Sequence, residues 1–137
     1  MKVHLALNTL IKNDEFEDAV KLAVTAYNFG VDAIIIQDLG LAKYLKENYP
    51  EITLHASTQM TVHNLDGVKQ LESLGFSRVV LARELSIDEI KYIRENSSVE
   101  LEVFIHGALC ISYSGQCLLS SMIGGRSRKS RFLCSAL

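Results

Sequence analysis

Five short apolar runs, alternating with helical patterns, constrain this chain more than any other feature. They cover residues 3–7, 33–36, 53–56, 78–81 and 101–105, and their starts lie 20 to 30 residues apart. Ala33-Ile34-Ile35-Ile36 and Val79-Val80-Leu81-Ala82 are continuous and rich in β-branched residues. Strands buried on both faces of a parallel sheet read this way. Between the runs, Phe16, Ala19, Val20, Ala23 and Tyr27 repeat at helical spacing, with Asn13 and Asp14 as candidate caps and Gly30 as the stop. Leu65, Val68, Leu71 and Leu74 form a second stripe ending at Gly75, and a weaker helix lies between Leu41 and Asn48, before Pro50. Ser86-Ile87-Asp88-Glu89 is a capping box, after which Ile87, Ile90 and Ile93 are expected to face inward.

The resulting βαβαβαβαβ order calls for a parallel sheet with right-handed crossovers. Two architectures fit: an arc of a TIM-like (β/α) barrel with about five βα units, or an open, five-stranded, doubly wound sheet. Polar or small residues follow every run: Asn8-Thr9, Gln37-Asp38, Ser57-Thr58-Gln59, Arg83-Glu84 and His106-Gly107. A barrel gathers its site from all its strand ends, whereas an open sheet concentrates it at one switch point, so this pattern favours the barrel. No glycine-rich phosphate loop follows any strand. Residues 1–107 read as the partial barrel and 108–137 as a cysteine-containing loop segment.

Composition narrows the functional classes. Of 137 residues, 48% are hydrophobic and three are Cys, which excludes a disordered chain and a disulfide scaffold. No apolar run approaches the roughly 18 residues of a membrane span, and the first residues are too polar for a signal-peptide core. A cytoplasmic chain with reduced thiols and no membrane contact is expected. Charge is uneven: residues 1–125 hold 10 basic and 16 acidic residues, while 126–137 hold four basic and no acidic ones. The run Arg126-Ser127-Arg128-Lys129-Ser130-Arg131 is either a solvated loop or a phosphate or RNA contact.

The densest chemistry follows the fifth run. Cys110 and Cys117 are separated by six residues and Cys134 follows. Structural zinc prefers closer pairs, whereas iron–sulfur clusters tolerate wider spacing; the alternative is that the cysteines are small apolar side chains. His106 and Cys110 would form a nucleophile–base dyad only on a helical turn, which Gly107 disfavours. Neither H-E-x-x-H nor G-x-S-x-G is present. His106 could bind substrate, donate a proton or satisfy backbone. Arg83 and Glu84 could clamp a substrate carboxylate or form an internal ion pair. His4 and His55 read as packing or surface residues, and His63, beside Asn64, as part of a helix cap. Tyr113 and Ser114 could orient a cluster or shape the loop.

Residues 102–120 resemble the signature of the peptidase U32 family, the collagenase-like proteases: E-x-F-x-x-G-A-L-C-x4-G-x-C-x-L-S, with every fixed position met. Asn8-Thr9-Leu10, Ser57-Thr58-Gln59 with Asn64, Leu81-Ala82-Arg83-Glu84-Leu85-Ser86 and Gly125-Arg126-Ser127 are similar to further family segments. The resemblance implies a TIM-like barrel in which two βα units precede Met1, so this chain would be a partial barrel. Relatives hydroxylate RNA bases, often with prephenate, or help hydroxylate a quinone precursor. They bind an iron–sulfur cluster, expected to be 4Fe-4S, through cysteines that Cys110 and Cys117 match. The implied intact protein is a cluster-dependent enzyme acting on tRNA or rRNA, with Arg83, Glu84 and His106 lining its site. A peptidase, as the family name says, is the second reading. An inactive fragment, stable only as an oligomer or with a complementary fragment, is the third.

The tail departs from the family. After G-R-S the family continues to C-A-Q-P-C-R, whereas this chain reads Phe132-Leu133-Cys134-Ser135-Ala136-Leu137. One coding string for the end, TTG TGC TCA GCC CTG TAG, reads Cys-Ala-Gln-Pro-Cys one base later. A one-base frameshift over about residues 132–137 is therefore expected. Family cysteines would then belong where Leu133 and Leu137 stand, and Cys134 would be doubtful as a ligand.

Overall fold

The computed structural model describes residues 1–107 and 110–118. Cys134, the basic run at 126–131 and the tail at 132–137 lie outside these residues. Strands β1 (His4–Leu7), β2 (Ala33–Ile36), β3 (Leu54–Ala56), β4 (Arg78–Val80) and β5 (Glu100–Glu102) alternate with helices α1 (Phe16–Asn28), α2 (Leu39–Asn48), α3 (Leu65–Ser73) and α4 (Ile87–Asn96). All neighbouring strands pair in parallel, and sheet order is the sequence order, β1 to β5.

Alternation along the strands sorts the side chains into two faces. Ile34, Ile36, Leu54, Ala56 and Val79 join one apolar cluster with residues from all four helices: Ala19 and Ala23 of α1, Leu41, Ala42 and Leu45 of α2, Val68 and Leu71 of α3, and Ile93 of α4. The helices therefore cover one face of the sheet. A doubly wound sheet reverses its strand order and carries helices on both faces; sequential order with a one-sided helix layer is the geometry of a (β/α) barrel arc.

The other face is polar. Ala6, Ile35, His55, Arg78 and Glu100 lie side by side in one register row. Arg78 donates to Glu100 at 2.7 Å and to Glu102 at 3.1 Å. His55 is buried and meets the His4 ring edge-on at 4.9 Å between centroids. Burial, then the positive charge of Arg78 and the proximity of His4, push the His55 pKa down to about 4. Its unfolded pKa is near 6.5, so between pH 6.5 and 4 the unfolded chain binds the extra proton. Stability should fall as pH drops through that window, by up to about 3 kcal/mol. Denaturant titrations of the wild type and His55→Gln at pH 7 and pH 4.5 check this, since the substitution should remove most of the difference in stability between the two pH values.

Several local expectations need correction. Neither Asn13 nor Asp14 caps α1: its N-cap is Glu15, which makes no side-chain cap, because its carboxylate accepts from the Lys12 N–H instead. Helix α2 starts earlier than Leu41, because Asp38 accepts from the Leu41 N–H at 2.9 Å and so sets the first turn. Ile87 does not face inward. It opens α4 at 83% exposure while Ile93 is buried, since positions six apart on a helix point about 120° away from each other. The fifth strand covers only Glu100–Glu102, and Ile105 is 95% exposed. Its last rung is the Leu81 N–H to the Glu102 carbonyl; the next N–H of that segment, Ala82, donates to the Val62 carbonyl instead.

Candidate functional site

The strand ends expected to carry chemistry meet at the C-terminal rim. After β3, Ser57 accepts from the Gln59 N–H at 3.1 Å and caps a 3₁₀ turn over Thr58–Met60. Thr58 ties this turn to the neighbouring strand end through the Leu81 carbonyl at 3.1 Å. Thr61 then takes a left-handed conformation, φ 59°, which is uncommon for a β-branched residue. That conformation sends the chain to Asn64, which caps α3 by accepting from the Gly67 N–H at 2.8 Å. His63 takes no part in that cap. Its Nδ1 lies 2.9 Å from the Thr61 carbonyl and therefore carries a proton. Its buried Nε2 has Glu84 Oε2 at 3.3 Å as a charge neighbour, but without hydrogen-bond direction.

The loop carrying the cysteines is seated on this turn. Ser114 is buried, and its N–H donates to Glu84 Oε1 at 2.8 Å while its hydroxyl lies 3.0 Å from Glu84 Oε2. The same hydroxyl accepts from the Arg83 N–H at 3.2 Å, and the Ser114 carbonyl accepts from Thr61 Oγ1 at 2.7 Å. Arg83 Nη2 donates to the Ser112 carbonyl and lies 3.5 Å from Glu84. Burial raises the Glu84 carboxyl, but hydrogen bonds from its own N–H and from Ser114, with Arg83 nearby, outweigh it and hold the group below the usual carboxylate range. Arg83 and Glu84 are thus engaged with the loop backbone, rather than presented as a free carboxylate clamp.

Cys110 and Cys117 flank this seat, both exposed and both free thiols. The Ser112 N–H, then its hydroxyl, then the Cys117 thiol act on the Cys110 sulfur, and Arg83 adds positive potential; together they hold that thiol below its ordinary range. The Cys117 thiol and the Arg83 guanidinium are thus close enough to act on the Cys110 sulfur electrostatically. Among the described residues no three His, Cys, Asp or Glu side chains form a metal-binding group. His106 stands apart, exposed and without a hydrogen bond or ion pair to any described residue. Gly107, at φ +151°, keeps the chain from making a helical turn between His106 and Cys110.

Sequence reasoning missed the hub of this arrangement. From the sequence alone Ser114 reads as orienting a cluster or shaping the loop, and His63 as part of a helix cap. The polar Ser57-Thr58-Gln59 strand end was the signal that could have pointed to a receiving turn.

A one-sided parallel α/β arc with two exposed thiols on a loop over its C-terminal rim is the arrangement of a barrel-type α/β protein with a candidate cysteine site. Comparison with known proteins specifies it further. The sequence profile of peptidase family U32 matches residues 1–135, and the chain belongs to that family. It is 45% identical over 126 residues to the 23S rRNA 5-hydroxycytidine C2501 synthase of Escherichia coli, covering 92% of this chain and 19% of that protein. It is 41% identical over 126 residues to tRNA hydroxylation protein P of Haemophilus influenzae, covering 91% of this chain and 27% of that one. The chain thus spans about a fifth to a quarter of the length of these relatives. Among solved structures, the U32 peptidase Mk0906 superposes with a TM-score of 0.63 at 21% identity, covering 75% of this chain and 45% of that one, which supports the shared fold. No described helix is long and apolar enough to cross a membrane.

Proposed function

We propose that this chain is the cysteine-bearing portion of a protein that hydroxylates a base in tRNA or rRNA, and that Cys110 and Cys117 are two ligands of its iron–sulfur cluster. The observation that carries this reading is that two exposed free thiols sit on one loop, three and four residues from the Ser114 contacts that pin it to the rim. Cluster ligation needs thiolates that share one space, and a 4Fe-4S cluster takes four, so the remaining ligands come from elsewhere in the whole protein. Such a cluster supplies one-electron chemistry when bound. The residues of this chain do the rest: Glu84 and Thr61 hold the loop, Arg83 keeps positive potential beside the sulfurs, and the polar strand ends face the reacting space. The names of the relatives support RNA as the substrate. A closed TIM barrel, a small carboxylic acid cosubstrate such as prephenate and a cytoplasmic location complete the proposal.

The family name favours a second reading, peptide hydrolysis. The geometry supports it less, because Ser112, Cys117 and Arg83 act on Cys110 while His106 is not among its partners. The test uses the whole protein, purified anaerobically and supplied with iron and sulfide. Visible cluster absorption, and hydroxylated nucleosides in RNA from cells carrying the gene but not from cells lacking it, are expected. Peptide cleavage by protein without iron, with no change in RNA nucleosides, would overturn the proposal.

A further inference from the structure

The rim beside the cysteine loop carries a group of side chains that the loop does not use. Asn8, Gln37 and Ser57 directly follow β1, β2 and β3, one register row beyond Leu7, Ile36 and Ala56. Alternation places them on the polar face, opposite the helix layer. Gln37 is only 8% exposed, and its Nε2 donates to the Gln59 carbonyl at 3.1 Å. That acceptor is a backbone oxygen, so the amide must turn its nitrogen inward and its own oxygen outward. Asn8 Nδ2 reaches Ser57 Oγ at 3.5 Å, which leaves its oxygen facing away as well. Among the described residues no partner bonds Gln37 Oε1, Asn8 Oδ1 or the Gln59 carboxamide, yet none of these atoms is an enclosed polar group without a partner. They open to the rim.

This amide cluster abuts the cysteine loop. Gly115 packs so tightly on Gln59 that a Cβ at position 115 would sit 2.4 Å from the Gln59 carbonyl oxygen. Ser57 is 1% exposed and braces both Asn8 and the Gln59 N–H. The cluster is uncharged, and the neighbouring cation, Arg83, is already engaged by Ser112 and Glu84. A small carboxylic acid would want a free guanidinium or ammonium here. Gln37 and Asn8 present carboxamide oxygens and Gln59 a whole carboxamide, a set of acceptors with one donor group that a nucleobase edge can meet.

We infer that Asn8, Gln37 and Gln59 form a nucleobase-reading site at the ends of the first three strands, holding a flipped-out RNA base beside the cysteine pair. Base-modifying enzymes must take the base out of its stack, and they then read its edge with hydrogen bonds. This inference rests on the RNA-hydroxylation reading and names the residues that would present the base.

The test uses the whole protein with its cluster, in wild-type form and as Asn8→Ala and Gln59→Ala. These side chains do little inside the fold, so truncation should leave folding and cluster absorption intact. Hydroxylated nucleoside yield should fall about tenfold or more in each variant, the scale of one or two lost base contacts. Titration with free cytidine and uridine, followed by NMR, should show weaker binding in both variants than in wild type. Wild-type yield and unchanged nucleoside binding in both variants would overturn the inference. So would variants that lose binding of prephenate while keeping that of the nucleosides, since the site would then belong to the cosubstrate. A wild type without cluster would instead defeat the proposed function, and nucleoside binding would still decide this inference by itself.

Discussion

Replacing Gly115 with alanine should unseat the cysteine loop and cost the whole protein most of the iron and sulfide that the proposed cluster site would hold. Two costs combine at this position. The backbone stands at φ +76°, which costs a residue with a Cβ roughly 1–2 kcal/mol. The new Cβ would also lie 2.4 Å from the Gln59 oxygen and 2.7 Å from its Cα, and backbone atoms of a tied turn have no room to retreat. Relief requires the loop to lift, which breaks the Ser114 contacts to Glu84 and Thr61 and separates Cys110 from Cys117. Gly30 supplies the control. It has φ +85° but nothing within 4 Å of its Cβ position, so Gly30→Ala bears the conformational cost alone. Iron and sulfide content per chain should drop clearly in Gly115→Ala, since each 1.4 kcal/mol of lost seating shifts the seated-to-unseated ratio about tenfold and the clash adds to the conformational cost. The Gly30→Ala protein should match wild type. Equal iron content in the two variants would show that the seat does not position the thiols.

Serine at position 110 or 117 should abolish the visible cluster absorption. The exchange of sulfur for oxygen keeps the size and the hydrogen-bonding capacity of the side chain, yet a hydroxyl stays protonated where a thiolate would bind iron. Cys110 is the more sensitive of the two. Its thiol is already biased toward the thiolate by the Ser112 N–H and hydroxyl, by Cys117 and by Arg83. Since Ser112 and Arg83 act on the loop backbone as well, folding of the variants should be unchanged, and circular dichroism provides that control. Wild-type spectra in both serine variants would remove these residues as ligands, and the RNA reading would then lack its cofactor site.

The glycine and cysteine substitutions probe one device at different depths, because Gly115→Ala leaves both sulfurs in the chain and moves only their support. A loss of cluster in the serine variants alone would mean that the thiols bind iron without needing the seat. Loss in all three would place the turn from Ser57 to His63 in the same functional unit as the cysteines. Acid should act on that unit too. The Glu84 carboxylate accepts from Ser114, and its pKa is depressed in the fold, so its contribution is present above the ordinary carboxylate range and is lost as pH falls through the lowered value.

Much of this protein was legible in one dimension. Strand β2 falls on the run Ala33–Ile36, and the Ser86–Glu89 capping box starts α4 as its residues require. These are local matters: β-branched runs, period and caps are decided within a few residues of chain. The motif containing Cys110, Gly115 and Cys117 was equally legible, because a long pattern of fixed residue types is a property of the sequence. Tertiary structure decided the rest. That the helices share one face follows from which apolar stripes find each other across the sheet, and this, with the sequential strand order, separates a barrel arc from a doubly wound sheet. The pairing of Glu84 with Ser114, 30 residues away, and the fit of Gly115 against Gln59 depend on two strand ends being neighbours in space. No period or cap encodes such contacts, since they arise from the order of the strands and the reach of side chains over the rim. His63 shows the limit most clearly: beside Asn64 it reads as cap material, while the left-handed turn at Thr61 aims its ring at Glu84.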